Sequence, residues 1–130
     1  MSMENQVTSI EQSRRLLELG VPAEKASMVW CQKVLSFADG IDYEAANKAG
    51  TELIPAFTVA DLLGMLPTII SYKDRLYYLS VRIIGYDCSV EYILHDCVEG
   101  VAYIGALNTM INSLFNAIEW LLENGINIKL

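Results

Sequence analysis

Three adjacent residues, His95, Asp96 and Cys97, have the types that could support nucleophilic chemistry. A cysteine becomes a nucleophile when an imidazole within hydrogen-bonding reach takes its proton and a third group orients the ring. If this segment is a strand, His95 and Cys97 lie on the same side of it, with Cα atoms about 6.5 Å apart. That spacing permits such a pair. A partly exposed histidine at a strand end is the simpler interpretation.

Carboxylates near this segment offer a second kind of chemistry. Two of them could converge as an acid–base pair or as ligands of a hard cation; the group is Asp87, Glu91, Asp96 and Glu99. Their spacing matches no calcium loop, and the single histidine cannot supply a multi-histidine metal cluster. The chain also has no GxGxxG, GxxxxGK[ST] or GxSxG motif. We therefore interpret these carboxylates as solvated turns and expect no catalytic residue, no metal and no cofactor.

The cysteine content indicates a reducing compartment. The chain has an odd number of cysteines, Cys31, Cys88 and Cys97, and no CxxC pair. Neither a disulfide framework nor a zinc site is therefore expected. The polar start of the chain does not resemble a secretion signal, and no apolar run approaches the ~20 residues that span a membrane. We therefore expect a cytoplasmic protein without membrane contact.

The charge balance disfavours nucleic acid as a direct partner. The formal net charge is −7, and the basic residues are scattered apart from Arg14 and Arg15. Affinity for nucleic acid is built largely from Lys and Arg side chains that neutralise phosphates. An acidic chain could instead occupy the basic groove of a nucleic-acid-binding protein, as a decoy.

The segment 108–125 predicts the helix on which the other elements pack. Its apolar residues fall on one arc at about 100° per residue, Asn108 or Thr109 can cap its start, and Gly125 can end it. Trp120 projects about opposite that arc. A large aromatic there needs cover from this chain or from a partner. If a partner supplies it, Tyr78 and Leu76 are candidates to share the contact.

The sequence predicts two strands, 75–84 and 87–95, that form one hairpin through Gly85 and Tyr86. If Ile84 pairs with Asp87, one face of the hairpin is almost wholly apolar and the other face is mixed. A shift of the register by one residue would place core residues on the solvent side. The apolar pairs are Ile83 with Cys88, Val81 with Val90, Leu79 with Tyr92 and Tyr77 with Leu94.

Shorter patterns predict the remaining elements. A capping box at 8–11 begins a helix that ends at Gly20, and a second box, Thr58 with Asp61, begins a helix that Pro67 stops. Segment 28–37 is interpreted as a strand, with a short helix as the alternative. Segment 38–51 is a surface loop with one helical turn at 43–48, 97–106 favours a third strand over a helix, and 126–130 could add an edge strand. The prediction is one α+β domain, 1–130: a small antiparallel sheet centred on 75–95, packed against the long C-terminal helix and a second helix.

Three stretches together resemble a known group of proteins: TSIEQSRRLLELGVP at the start, IPAFTVADLLGMLP before a tyrosine-rich strand, and SLFNAIEWLLENG near the end. They look like a family of small uncharacterised α+β proteins from prophage-like and mobile regions of gut bacteria. The resemblance covers about half of the chain and leaves out 39–52 and 95–107. It implies a cytoplasmic accessory protein and carries over no catalytic residue.

Three functional hypotheses follow. The leading one is a non-enzymatic protein-interaction or accessory module of phage or mobile-element origin, which contacts a protein partner or a second copy of itself. The second is a small ligand-binding protein or enzyme that uses His95, Asp96 and Cys97. The third is the acidic decoy.

Overall fold

A computed structural model describes residues 3–85, 87–94, 101–104 and 109–130. Within them the fold is α+β, as predicted, with two antiparallel sheets and four α-helices. The helices are α1 (Ile10–Glu18), α2 (Tyr43–Lys48), α3 (Val59–Met65) and α4 (Met110–Glu123). Short 3-10 turns cover Met3–Gln6 and Ala23–Lys25.

The strands divide between a three-stranded and a four-stranded sheet. The three-stranded sheet has the order β2-β1-β3, with β1 (Met28–Cys31), β2 (Val34–Phe37) and β3 (Leu53–Ala56). The four-stranded sheet has the order β4-β5-β6-β7, with β4 (Ile69–Tyr72), β5 (Arg75–Ile84), β6 (Asp87–Leu94) and β7 (Val101–Ile104).

The β5–β6 hairpin has the predicted register. Ile84 pairs with Asp87, and the apolar pairs follow in the expected order as far as Tyr77 with Leu94. Val90 and Tyr92 are fully buried on the apolar face. Strand β7 pairs with β6, which confirms a third strand over 101–104. Alternation of apolar and polar residues therefore determined how these strands pair.

Helix α4 covers this apolar face except at its far end, where Val81 and Ile83 are exposed although the predicted pattern placed them with the core. Its side chains Leu114, Ile118 and Leu121 are fully buried in one cluster with residues of β6 and α3. The Thr109 hydroxyl accepts a hydrogen bond from the Asn112 N–H and caps the helix, as one of the two predicted caps. The second predicted cap is also present: Thr58 and Asp61 exchange side-chain and backbone bonds at the start of α3.

Thr8 joins α1, the three-stranded sheet and the segment before α3. Its backbone N–H donates to the Phe57 carbonyl at 2.9 Å, and its carbonyl accepts from the Trp30 Nε1–H at 3.0 Å. Its buried hydroxyl accepts from the Phe57 N–H at 3.0 Å and lies 2.7 Å from the Ser13 hydroxyl. A second apolar cluster surrounds this network: Val7, Met28, Trp30, Ile54 and Ala56.

Several local predictions were wrong. Helix α1 is capped one residue later than predicted, because Ser9 and Gln12 form the capping box. Segment 28–37 is two strands joined by a turn, and residues 126–130 form no strand. The tail is instead held to α3 by a bond from the Lys129 N–H to the Met65 carbonyl, at 2.8 Å.

In the described part of the chain, no helix is both long enough and apolar enough to cross a membrane.

Candidate protein-interaction site

The residues predicted for chemistry, His95, Asp96 and Cys97, lie outside the described residues. Among the nearby carboxylates, Glu91 is largely buried, and its Oε1 accepts from the Arg82 guanidinium at 2.8 Å and from the Ser89 hydroxyl at 3.0 Å. Asp87 lies four residues away on the same strand, about 13 Å along it. These two carboxylates are therefore not placed as an acid–base pair.

The two described cysteines do not have the surroundings of a nucleophile. Cys88 is buried beneath α4, and burial raises the pKa of its thiol. A reactive cysteine needs the opposite, a lowered pKa in an exposed and electropositive site. Cys31, at the end of β1, is a half-buried free thiol.

Trp120 packs inside the fold, away from Leu76 and Tyr78. Its ring meets that of Tyr72 edge to face, with centroids 5.2 Å apart, and it lies against the main core cluster. Tyr72 shares the helix-covered side of the sheet with Tyr77. Leu76 and Tyr78 flank Tyr77 in β5 and so point to the opposite side. The three side chains therefore do not form one surface.

The outer side of the four-stranded sheet carries an apolar patch, which we call the outer patch: Ile69, Leu76, Tyr78 and Ile93. Leu76 is 54% exposed and Ile69 48% exposed, whereas Tyr78 and Ile93 are half-buried. Leu76 and Tyr78 were both predicted as partner contacts, and they lie side by side here.

A cleft of about 820 Å³ lies between the starts of α1 and α4. Its polar lining is uncharged, and the Gln12 side-chain amide donates to Asn112 Oδ1 across it at 2.8 Å. The lining consists of Asn5, Gln6, Val7, Ser9, Gln12, Val59, Thr109, Met110, Ile111 and Asn112. Among the described lining residues there is no carboxylate, histidine, cysteine or lysine, so none of them can act as a general base toward the Ser9 or Thr109 hydroxyl.

Strand β2 is an open edge of the three-stranded sheet. It pairs with β1 on one side, and no described strand pairs with its other side. Its side chains include Val34, 63% exposed, and Phe37, 77% exposed. Proteins commonly protect edge strands with charges, proline or bulges, and β2 (VLSF) has none of these. Within the described ranges, the feature of β2 that limits strand addition is its length of four residues.

The hairpin geometry determines which β2 amides face outward. Cys31 and Val34 flank a two-residue turn, so they are a hydrogen-bonded pair, and alternate residues of β2 bond to β1. The Ala38 N–H continues this ladder by donating to the Ser27 carbonyl at 3.1 Å. The N–H and C=O groups of Leu35 and Phe37 therefore point away from the sheet, toward any added strand.

A second open edge lies along the far half of β5. Strand β4 reaches only to Tyr78, and the Leu79 N–H donates to the Thr68 carbonyl just beyond it. By the same alternation, the backbone groups of Val81 and Ile83 point outward, and Ile83 is 72% exposed. Arg82 lies between them and is exposed, and this charge is a common protection against strand addition.

The turn between β1 and β2 is built from residues that do not favour it. Gln32 has φ 48° and Lys33 has φ 67°, in the left-handed region. Glycine or asparagine usually occupies such positions, because other side chains are strained there by about 1 kcal/mol or more each. Strand pairing, and not the conformational preference of Gln32 and Lys33, therefore holds the β1–β2 turn in this conformation.

Lys33→Gly is expected to raise the free energy of unfolding by about 0.5–1 kcal/mol, because glycine adopts a positive φ without strain. Chemical denaturation measures the change. Lys33→Ala is the matched control: it removes the same side chain but keeps the Cβ, and it should give no gain. An equal gain from both substitutions would show that the charge, and not the backbone, is responsible.

Comparison with known proteins does not assign this chain to a class. No family model matches it, and no curated protein or solved structure matches it either. The resemblance to a family from mobile regions of gut bacteria therefore stays a prediction. The candidate site rests on the geometry of β2 alone.

Proposed function

We propose that this protein is a non-enzymatic protein-interaction module that binds its partner by strand addition at β2. The observation that carries the proposal is the open edge itself. Two outward-pointing backbone units lie between exposed apolar side chains, and in strand addition the backbone supplies affinity while flanking side chains supply selectivity. The outer patch is the weaker candidate, since its most exposed member, Leu76 at 54%, is more covered than Val34 at 63%.

A protein partner fits the charge pattern better than nucleic acid does. Arg14, Arg15 and Arg82 each form a salt bridge with a glutamate, and Arg15 contacts both Glu119 and Glu123 of α4. Cations engaged in this way are not arranged as a track for phosphates. The free thiols Cys31 and Cys88 support a reducing compartment, and we place the protein in the cytoplasm.

Selection from a library of displayed random peptides tests the proposal and does not require that the partner be identified. The wild-type chain is immobilised sparsely, so that neighbouring chains do not meet. We expect enrichment of extended peptides with alternating β-branched or aromatic residues, which form strands. Leu35→Pro, which removes an outward N–H, should abolish their binding.

Ile69→Pro is the control for that selection, because it removes an outward-pointing N–H from a different edge strand, β4. It should leave the binding of the enriched peptides unchanged. If a chain that is monomeric by light scattering enriches no extended peptide, or if Leu35→Pro binds the same peptides as the wild type, strand addition at β2 is wrong.

A further inference from the structure

We infer that the strand added to β2 is the β2 strand of a second copy, which makes the protein a two-fold symmetric dimer. This inference rests on the proposed function and names the partner. Two identical strands related by a two-fold axis across a shared edge must run antiparallel. The proposal therefore fixes the direction of pairing and leaves only the register to be found.

The outward backbone groups select one register. Residues that exchange hydrogen bonds across an antiparallel pair must both point toward the partner, and in β2 these are Leu35 and Phe37. Placing the axis at Ser36 sets Leu35 opposite the second copy's Phe37 and Phe37 opposite its Leu35. If the axis passed through Leu35 or through Phe37, that residue would pair with its own copy, and the other outward-pointing residue would lie opposite a residue outside the strand. The register centred on Ser36 is the one that satisfies both.

Charge complementarity supports the same register. Lys33 directly precedes the strand, Asp39 follows it after Ala38, and both side chains are exposed. With the axis at Ser36, the two are equally distant from it in sequence, so Lys33 of one copy lies beside Asp39 of the other. The symmetry repeats this contact at both ends. Both residues lie in the turns that bound β2, and the attraction between opposite charges brought together at these turns favours this register.

The side chains are also compatible with this arrangement. Leu35 and Phe37 lie on the same face of the sheet as Met28 and Trp30, and Leu35 packs against the second core cluster. Pairing would set the exposed Phe37 ring beside Leu35 of the other copy and extend that cluster across the axis. The two three-stranded sheets would join into one sheet with the order β3-β1-β2-β2-β1-β3.

The open edge of β5 is less suited than β2 to pairing with a second copy. A two-fold axis that engages both Val81 and Ile83 passes through Arg82, which would then face the same residue of the second copy. Glu91 pairs with Arg82 within each chain, but two guanidinium groups directly opposite each other still repel, and like charges in that position are destabilising. At β2 the residue on the axis is Ser36, which is small, uncharged and exposed.

Light scattering during size exclusion measures the mass of each variant and tests the inference. We expect a dimer for the wild type and monomers for Ser36→Lys and Ser36→Glu, because each variant sets like charges against each other on the axis. An equimolar mixture of the two variants should recover a dimer that contains one copy of each, seen by native mass spectrometry. Ser71→Lys, at an exposed serine of the edge strand β4, is the matched control and should stay dimeric.

A cysteine on the axis gives a second measurement that does not depend on tolerance of a charge. Residues opposite each other in a non-hydrogen-bonded pair have Cα atoms about 4.5 Å apart, within the range of a disulfide. Under mild oxidation, Ser36→Cys should form a covalent dimer much faster than Ser71→Cys. Equal rates would overturn the register.

The outcomes separate this inference from the proposed function. If the wild type is monomeric but still binds extended peptides at β2, the dimer is wrong and strand addition at β2 stands. A dimer that Ser36→Lys does not dissociate overturns pairing through β2. A monomeric wild type that binds no peptide overturns both.

Discussion

Leu114→Ala is expected to lower the free energy of unfolding by about 2–5 kcal/mol, the usual range when a buried leucine is truncated and its neighbours cannot close the cavity. Leu114 is fully buried near the middle of α4, where that helix crosses the four-stranded sheet. Urea denaturation followed by circular dichroism measures the change, and the midpoint should fall without a large change in slope.

Leu63→Ala provides the matched control for that measurement. Leu63 lies on α3 and is exposed, so the same truncation leaves no cavity and should change stability by about 0.5 kcal/mol or less. Similar losses from the two variants would show that α4 does not cover the sheet as described. The predicted architecture would then fail.

Thr8→Val is expected to cost about 2–4 kcal/mol, although valine has nearly the same shape as threonine. The substitution removes the acceptor of the buried Phe57 N–H and the partner of the Ser13 hydroxyl. A buried polar group left without a partner costs about 1–3 kcal/mol, and here two groups are affected. Thermal or chemical unfolding measures the loss.

Thr8→Ser separates the hydroxyl from the methyl group. Serine keeps both hydrogen bonds and removes only one methyl, so it should cost about 1 kcal/mol. If Thr8→Ser is as destabilising as Thr8→Val, the methyl contact and not the hydrogen-bond network accounts for the loss. In that case the joining role assigned to Thr8 is wrong.

The four-stranded sheet could be predicted where a pattern had only one consistent solution. Alternation along β5 and β6 is long enough that a single register places Val90 and Tyr92 in the core. The Thr58 cap was equally visible, because its partner Asp61 lies at the required spacing before an apolar run. In both cases every residue needed for the inference is close in sequence.

Other elements depend on contacts that lie far apart in the chain. Both Thr8 and Ser9 can begin a helix, but the Thr8 hydroxyl is engaged by Phe57, 49 residues away, so Ser9 forms the cap. The turn at Gln32 and Lys33 contains no glycine or asparagine and therefore gave no signal that segment 28–37 divides. Strand β3 contains Pro55, which argues against a central strand and is tolerated at an edge.

The candidate site was missed for the same reason. An edge strand can be recognised only when its neighbours in the sheet are known. The sequence prediction had also treated β1 and β2 as a single strand, 28–37. Leu76 and Tyr78 were found because large side chains on a mixed face stand out, but their separation from Trp120 follows from the parity of β5.

The contacts between α1 and α4 have a consequence for how the chain reaches its native state in the cell. Gln12 bonds to Asn112 and Arg15 to Glu119, across 100 and 104 residues respectively. During translation, the first helix can dock on β3 once Phe57 has been made, but its polar contacts with α4 form only when nearly the whole polypeptide is complete. The β5–β6 hairpin, closed by a short local turn, can form much earlier. The apolar face of the four-stranded sheet, which waits for α4 to cover it, is thus the part most in need of a chaperone while the ribosome finishes the chain.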